Sequence, residues 1–461
     1  MVSLFRHYVP VHIVLQLLLE GILFFCAVVL ALKLNRQGYT VSGLDTVIPA
    51  LVFALLMVCV NSALGLYRRE QNHDFVGLFM RAVAALFVGF VSCYAVFDLF
   101  PYGNLFRDAL WVTVVYALAG LLFMRRALVL PLSRALFPRR ILVLGTGAEA
   151  QLVELSLAAT NQPNLTLVGF YPVTSEAGRV VSAQRVIPAE WSVETAVDRL
   201  EIDEIIVAVR EQRGGVLPLQ ELLQCRIEGV RITDLAGFCE RVRGEVPIDS
   251  LKASWLIYGD GFKQDWSRNL VKRAFDLIVS LVLLTIALPV MAITAFAIWL
   301  ESGRPIIYRQ ERVGQGNQPF TVLKFRSMAQ DAERDGVAQW AQKNDPRVTR
   351  VGKFIRKTRI DELPQLLNVL RGDMSFVGPR PERPTFVAEL TEKIPYYGIR
   401  HSVKPGITGW AQVRVPYTDS VEDTVKKLEN DLYYVKNHSL FLDLLVLFET
   451  VRVVLFGDGA R

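Results

Sequence analysis

The sequence predicts a multi-domain membrane protein: an α-helical transmembrane bundle, a doubly wound α/β domain, and a charged domain behind a fifth apolar segment. Three observations carry this. Four long apolar runs crowd the first third of the 461 residues, in a chain that is 52% hydrophobic. Short apolar strands then alternate with amphipathic segments after Arg140. Finally, residues 274–300 are again apolar, with cations at both ends.

The four runs cover roughly residues 9–32, 44–66, 75–100 and 105–132. Each holds about 20 residues or more, enough at 1.5 Å per residue to cross a hydrocarbon layer of about 30 Å. A cleaved signal peptide is not expected, because the first run is long and no small-residue cleavage site follows it. Arg68, Arg69 and Arg81 flank the second loop, and Arg125, Arg126, Arg134, Arg139 and Arg140 follow the fourth run. The first and third loops carry fewer cations (Lys33 and Arg36; Arg107). The positive-inside bias puts the N-terminus and everything after Arg139 in the cytoplasm. A net charge of +6 fits this topology and contact with anionic membrane lipid, not nucleic acid. The five cysteines never approach a Cys-x-x-Cys spacing and read as small buried hydrophobes; five scattered histidines support no zinc site.

In the middle of the chain, Ile141-Leu-Val-Leu-Gly-Thr-Gly-Ala-Glu-Ala150 reads as a strand, a tight glycine turn and a helix start. Residues 165–171, 204–209 and 230–233 look like further strands, with helices such as residues 194–200 between them. This alternation predicts a parallel sheet of Rossmann-like type. Gly145-x-Gly147-x-x-Ala150 matches a dinucleotide fingerprint. The second strand, however, ends in Gly169-Phe-Tyr-Pro172, where a ribose-binding acid belongs, and no tyrosine has a lysine four residues later. The domain therefore reads as non-catalytic, with no bound cofactor.

Lys272 and Arg273 precede the fifth apolar stretch, and Arg304, Arg309 and Arg312 follow it. Both ends favour the cytoplasmic side, so the segment is expected to enter the membrane, break at Pro289 and return. Beyond it, Arg356-Lys-Thr-Arg-Ile-Asp-Glu-Leu-Pro-Gln-Leu366 concentrates charge. Ile360, Leu363, Leu367 and Leu370 form an apolar stripe at helical spacing, with Asp361 and Glu362 off it. Pro364 is tolerated only in a first helical turn, so a helix should begin near Asp361. The positive end of that helix favours ionised carboxylates and attracts phosphate. Arg356, Lys357 and Arg359 add cations, and Gly378-Pro-Arg-Pro381 presents Arg380 on a rigid turn. The arrangement suits a diphosphate–metal complex; plain N-terminal capping is the alternative.

Seven blocks occur in order: Lys272-Arg-Ala-Phe-Asp276, Tyr308-Arg-Gln-Glu-Arg-Val-Gly314, Leu323-Lys-Phe-Arg-Ser-Met328, Asp345-Pro-Arg-Val-Thr-Arg-Val-Gly352, Ile360-Asp-Glu-Leu-Pro-Gln365, Gly372-Asp-Met-Ser-Phe-Val-Gly-Pro-Arg-Pro381 and Lys404-Pro-Gly-Ile-Thr-Gly-Trp410. From about Lys272 onward the chain resembles the bacterial sugar transferase family of monotopic polyprenyl-phosphate phosphoglycosyl transferases. Its preceding parts resemble those of the large members that start exopolysaccharide or O-antigen units. The resemblance implies three parts: a transmembrane region over residues 1–137, a Rossmann-like α/β domain over 138–250, and a mainly α (α+β) monotopic catalytic domain over 265–461. The re-entrant helix would span about 274–300.

By the same resemblance, a sugar-1-phosphate passes from a UDP-sugar to undecaprenyl phosphate, releasing UMP, at the cytoplasmic face of a bacterial inner membrane. Asp361 matches the nucleophile, forming a covalent phosphosugar-aspartate, and Glu362 the Mg²⁺ ligand. Lys324, Arg356, Arg380 and Pro381 match positions near the phosphates and nucleotide, and Asp431 matches an active-site acid. Pro289 fits the helix break, although Leu288 stands where serine often precedes that proline. Many relatives carry Ser-Leu where this chain has Arg359-Ile360, which alters the local potential. Large relatives suggest a homodimer. The other classes weighed are a membrane-bound NAD-dependent nucleotide-sugar dehydratase and a non-enzymatic export scaffold. The C-terminal residues 439–456 read as a helix lying in the membrane interface, with packing on the catalytic domain as the alternative.

Overall fold

A computed structural model describes residues 2–4, 7–9, 11–34, 43–63, 75–96, 103–124, 139–160, 165–173, 180–188, 190–210, 217–248, 251, 266–329, 347–415 and 421–456. The chain forms two compact units, residues 1–4 with 8–243, and residues 5–7 with 244–461. The basic positions Arg68, Arg69, Arg125, Arg126 and Arg134, used above for orientation, lie outside the described residues.

In the first unit, α1 (Val11–Leu34), α2 (Gly43–Ala63), α3 (Phe75–Val96) and α4 (Gly103–Met124) pack in a ring, α1 on α2 and α4, and α3 on the same two. Phe24, Phe53, Met57, Leu86 and Leu110 fill the centre, with the Phe24 and Phe53 rings meeting edge-on at 6.2 Å. Leu18, Leu55, Phe87, Trp111 and Phe123 are exposed on the outer faces, so the helices are apolar all round, as lipid contact requires. Cys93 is buried there, but Cys26 lies on the outer face and Cys59 is half-buried, so the reading of all five cysteines as buried fails for these two. Two polar groups interrupt the interior: Glu20, fully buried, accepts from Gln16 Nε2 at 2.8 Å and from Asn61 Nδ2 at 3.1 Å.

The same unit holds a four-stranded parallel sheet of β1 (Arg139–Leu144), β2 (Leu165–Tyr171), β3 (Glu204–Val207) and β4 (Arg231–Asp234) in the order β2-β1-β3-β4. Alternate residues of β1 serve two cores. Ile141 and Val143 face α5 (Ala148–Thr160) and α8 (Leu235–Arg243), while Leu142 and Leu144 face α6 (Val193–Leu200) and α7 (Leu219–Ile227). The glycine turn is real: Gly145 has φ 125°, which an L-residue rarely adopts, and its N–H donates to Tyr171 O at 2.9 Å.

Residues 244–248 of the second unit pack on a helix far along the chain, α14 (Val421–Asn437): Val246 N donates to Glu429 O and Ile248 N to Glu429 Oε1, both at 3.0 Å. Helix α9 (Trp266–Ser302) is 37 residues long and continuous. The helix runs through Pro289 without interruption, so a break there can only take the form of a bend; a proline removes one N–H, and the remaining bonds on either side carry the helix through. Among the described residues, the stretches 14–34 and 268–302 are long and apolar enough to cross a membrane, while α2, α3 and α4 contribute the shorter stretches 46–62, 85–94 and 108–124. This is a membrane protein, mostly helical, with a parallel-sheet α/β region.

After α9 come the antiparallel hairpin β5 (Ile307–Val313) and β6 (Pro319–Phe325), then α10 (Arg350–Lys357), α11 (Gln365–Arg371), β7 (Ser375–Val377) and α12 (Pro384–Lys393). Strand β8 (Gly406–Thr408) pairs parallel with β7 and leads into α13 (Trp410–Arg414), α14 and α15 (Leu440–Phe456). Tyr397, Tyr433 and Tyr434 form the core with Leu428, Leu442 and Val446. The last helix thus packs on the catalytic-side core. Its charges are matched there: Asp443 accepts from Lys272 Nζ and from Tyr434 OH, each at 2.7 Å. An interfacial placement was expected for it because it is short and charged for a span; the packing alternative is what these contacts show.

Candidate active site

Three elements converge on Asp361 and Glu362. The first is the turn that carries them. Helix α10 begins with its free N–H groups capped: Thr349 Oγ1 accepts from Gly352 N at 2.9 Å, and the Glu301 carboxylate from Arg350 N and Val351 N at 2.8 and 3.1 Å. It ends at Lys357, and Arg359 then adopts a left-handed conformation (φ 59°), costing about 1 kcal/mol for a non-glycine residue. The chain turns there into a 3₁₀ turn, Ile360–Glu362, and α11 starts only at Gln365. The carboxylates therefore precede the α-helix and are not in its first turn. Nor is the apolar stripe the one expected: Leu366 and Val369 are buried, Leu367 is exposed, and Asp361 and Glu362 are themselves about nine-tenths buried. A 3₁₀ turn rotates side chains by a different angle per residue, which shifts the buried face.

The second element is β6, which supplies Lys324. Asn368 of α11, fully buried, locks this strand by accepting from Leu323 N at 3.0 Å and donating to Thr321 O at 2.7 Å. The third is the Gly378-Pro-Arg-Pro381 turn, which supplies Arg380. Both cations reach one oxygen: Glu362 Oε1 accepts from Lys324 Nζ at 3.1 Å and from Arg380 Nη2 at 2.8 Å. Asp361 Oδ1 is buried and has no hydrogen-bond partner among the described residues.

The electrostatics separate the two acids. Burial, then the charge of Glu362, raises the Asp361 carboxyl above its ordinary value against the pull of Lys324, Arg380 and Arg359. Burial acts on Glu362 too, but Arg380, Lys324 and Arg359 outweigh it and hold that carboxyl far below the usual range. One acid is fixed as an anion by its partners. The other is more basic and has an unused oxygen, which suits a nucleophile or a cation ligand.

Arg359 and Arg380 also line a cavity of about 210 Å³ whose wall includes Arg312, Arg383, Arg400 and Lys427. Six cations against Glu382 and Asp431 leave an excess of positive charge, which suits an anionic ligand. At its base Asp431 pairs with Arg400 at 2.8 Å. Burial lifts Asp431 to about 6, with Arg400 opposing the rise and Glu382 reinforcing it. No cluster of three or more His, Cys, Asp or Glu is found among the described residues.

Of the residues singled out in the sequence, Asp361, Glu362, Lys324 and Arg380 are brought together, and Asp431 lines the cavity that Arg380 also borders. Pro381 is buried beside Arg380, its carbonyl accepting from Arg312 Nη1 at 3.1 Å. Arg356 is half-buried on the last turn of α10, outside the cavity lining, and Pro289 lies in the exposed middle of α9. Sequence reasoning missed Arg383, Arg400, Lys427 and Asn368. Arg312 was singled out only as a cation flanking the fifth apolar stretch, with no role at the site.

Comparison with known proteins bears on this geometry. The bacterial sugar transferase model matches residues 267–457, which takes in α9, the dyad, both of its cations and the cavity. The undecaprenyl-phosphate glucose phosphotransferase of Komagataeibacter xylinus is 32% identical over 382 residues, covering 78% of this chain and 68% of that one. The chain belongs to the bacterial sugar transferase family. Two further relatives match shorter stretches of the chain. The UDP-N-acetylgalactosamine-undecaprenyl-phosphate N-acetylgalactosaminephosphotransferase of Aeromonas hydrophila is 46% identical over 240 residues, 52% of this chain and 56% of that protein. The UDP-glucose:undecaprenyl-phosphate glucose-1-phosphate transferase of Escherichia coli (strain K12) is 45% identical over 185 residues, 40% of each chain. The chain thus spans about half the length of these two.

Proposed function

We propose that this bacterial sugar transferase moves a sugar-1-phosphate from a UDP-sugar to undecaprenyl phosphate and releases UMP. The observation that carries this is the buried Asp361–Glu362 pair beside a cation-lined cavity: one acid is ionised by Lys324 and Arg380, and the other has a buried oxygen with no hydrogen-bond partner among the described residues. The names of the relatives supply the substrate classes.

In the proposed reaction an Asp361 oxygen attacks the sugar-bearing phosphorus. The bond from that phosphorus to the bridging oxygen breaks, and UMP leaves with its electron pair. An oxygen of the lipid phosphate then attacks the phosphosugar-aspartate, and the departing carboxylate is regenerated. Two half-reactions let a soluble and a lipid substrate use one site in turn. Lys324 and Arg380 reduce the repulsion between a carboxylate and a diphosphate. Mg²⁺, when bound, would neutralise phosphate charge; Glu362 and the orphaned Asp361 oxygen fit such an ion, since magnesium takes one or two carboxylates and completes its shell with phosphate and water oxygens.

The membrane arrangement belongs to the same proposal: α1–α4 as a four-helix transmembrane region, residues 138–250 as a Rossmann-like domain, and residues 265–461 as a catalytic domain on the cytoplasmic face of a bacterial inner membrane, with α9 re-entrant and the chain dimeric. Support for the re-entrant reading comes from α9 itself, because both its ends bind the same compact unit. Arg273 donates to Val369 O and Leu370 O at 2.6 and 2.8 Å, while Glu301 caps α10.

The test is intact-protein mass after mixing the enzyme with a panel of UDP-sugars and Mg²⁺, without lipid acceptor. Wild type should gain one sugar-phosphate with the correct donor. Asp361→Asn should gain none and, once undecaprenyl phosphate is added, should form at least about a thousandfold less lipid-linked product than wild type. Robust product from Asp361→Asn would overturn the mechanism.

A further inference from the structure

Four successive carbonyls in the turn bearing Arg380 each accept a hydrogen bond. Pro379 O receives Gly406 N at 2.9 Å, Arg380 O receives Arg400 Nη2 at 2.8 Å, Pro381 O receives Arg312 Nη1 at 3.1 Å, and Glu382 O receives Val313 N at 2.9 Å. Prolines on both sides of Arg380 fix φ at their own positions. The main chain at Arg380 is therefore held on every side, and its guanidinium lies 2.8 Å from Glu362.

The donor to the Arg380 carbonyl is itself clamped. Arg400 Nη1 donates to Tyr397 OH at 2.6 Å, its Nη2 pairs with Asp431 Oδ2 at 2.8 Å, and its guanidinium lies 5.2 Å from the Tyr397 ring centroid. Arg400 and Asp431 are 6% and 2% exposed. So although Arg400 borders the cavity, its N–H groups are turned to protein acceptors, and Nε is buried without a partner among the described residues. It has little left to offer a ligand. What it can do is fix the carbonyl from which Arg380 projects.

We propose that Arg400, clamped by Asp431 and Tyr397, is a positioning residue that acts through the Arg380 main chain to aim the Arg380 guanidinium at Glu362 and the reacting phosphate. Asp431 on this reading serves the reaction through Arg400 and Arg380. The proposal rests on the transferase reading given above. A lysine cannot replace Arg400, because a point ammonium does not span Asp431, Tyr397 and the carbonyl with a planar fork.

The experiment is a double-mutant cycle on UMP release by the full-length protein, with Asp361→Asn as a control. With Arg380 present, Arg400→Lys should lower kcat about tenfold and move KM for the UDP-sugar less than about twofold; in an Arg380→Ala background it should cost less than about twofold in kcat. Tyr397→Phe removes a single hydroxyl and should show the same non-additivity with a smaller loss, about threefold. That variant decides the matter if Arg400→Lys does not fold. Equal fold-losses in both backgrounds, or a loss confined to KM, would overturn the positioning role while leaving the transferase intact. Wild type that releases no UMP from any UDP-sugar, or Asp361→Asn as active as wild type, would instead remove the transferase reading and this proposal with it.

Discussion

Asp361 and Glu362 are buried to the same degree, so burial does not distinguish them; the placement of Lys324, Arg380 and Arg359 does. A second buried group shows the same competition without a partner charge to rescue it. The Nδ1 of His401 lies 2.7 Å from Asn317 Oδ1, which accepts only, so Nδ1 donates, as it can in the neutral or the charged ring. Burial, and then the charge of Arg400, hold its pKa down to about 4. Against an unfolded value of about 6.5, the folded state binds fewer protons between those limits. The His401 contribution is thus complete above pH 6.5 and lost as pH falls toward 4, by about 3 kcal/mol in all. Between pH 7.5 and 4.5, denaturant unfolding should cost wild type about 2 kcal/mol more stability than His401→Gln. Asp431, whose raised pKa acts with the opposite sign over nearly the same window, is present in both proteins and cancels. Equal losses would mean His401 is protonated in the fold. At this scale the dyad was legible because its two acids and three nearby cations are contiguous. Arg312, Arg383, Arg400 and Lys427 were not, since four separate segments bring them to one cavity.

Among the elements, α10 is the one whose ends matter most, because the dyad turn begins two residues beyond it. Three of its first N–H groups are satisfied, two by a carboxylate from the last turn of α9 and one by Thr349. Glu301→Ala should cost about 1–2 kcal/mol and Thr349→Ala about 1 kcal/mol, read from unfolding midpoints. Gly352→Ala should exceed both, because a Cβ there would overlap the main-chain carbonyl of Ser327. A neutral outcome for Gly352→Ala would show that the β6–α10 connection can shift freely. Elements with a strong period were readable in advance: residues 165–171 were expected as a strand and form one, and the expected strand at 204–209 forms over Glu204–Val207. The turn at 360–362 was not readable as 3₁₀. Pro364 is equally at home before a helix and in its first turn, and the left-handed Arg359 that decides between them leaves no mark on a sequence. The packing of α15 was hidden for a related reason, since Lys272, the partner of Asp443, lies 171 positions away in the chain.

For the whole molecule, the composition announced a membrane protein, and the question it left was how α9 meets the bilayer. The compact unit that holds the α/β region ends at Arg243, while residues 244–248 bond to α14, so a deletion of residues 140–243 should retain phosphosugar transfer in membranes; one that also removes 244–248 should lose stability. Loss of all adduct formation in the shorter deletion would give the α/β region a catalytic part. The topology itself can be tested from the ends of α9. Arg273 and Glu301 are 28 positions apart, about 42 Å along a straight helix, which exceeds a hydrocarbon core of about 30 Å. Yet Arg273 caps α11 and Glu301 caps α10, two helices joined by a single short turn. Between these anchors Ile278, Leu281, Ile286, Leu288 and Ile293 are exposed and apolar. Both anchors on one body, with a run of exposed apolar residues between them, are what the proposed entry and return on one side of the membrane requires. Lys353 and Lys393 are exposed on α10 and α12 and are suitable reporters. With all five native cysteines replaced, Lys353→Cys and Lys393→Cys should resist a membrane-impermeant maleimide in intact cells and react fully once the inner membrane is opened. Labelling of either position in intact cells would put the catalytic domain outside, away from UDP-sugars, and would end both the re-entrant model and the cytoplasmic site.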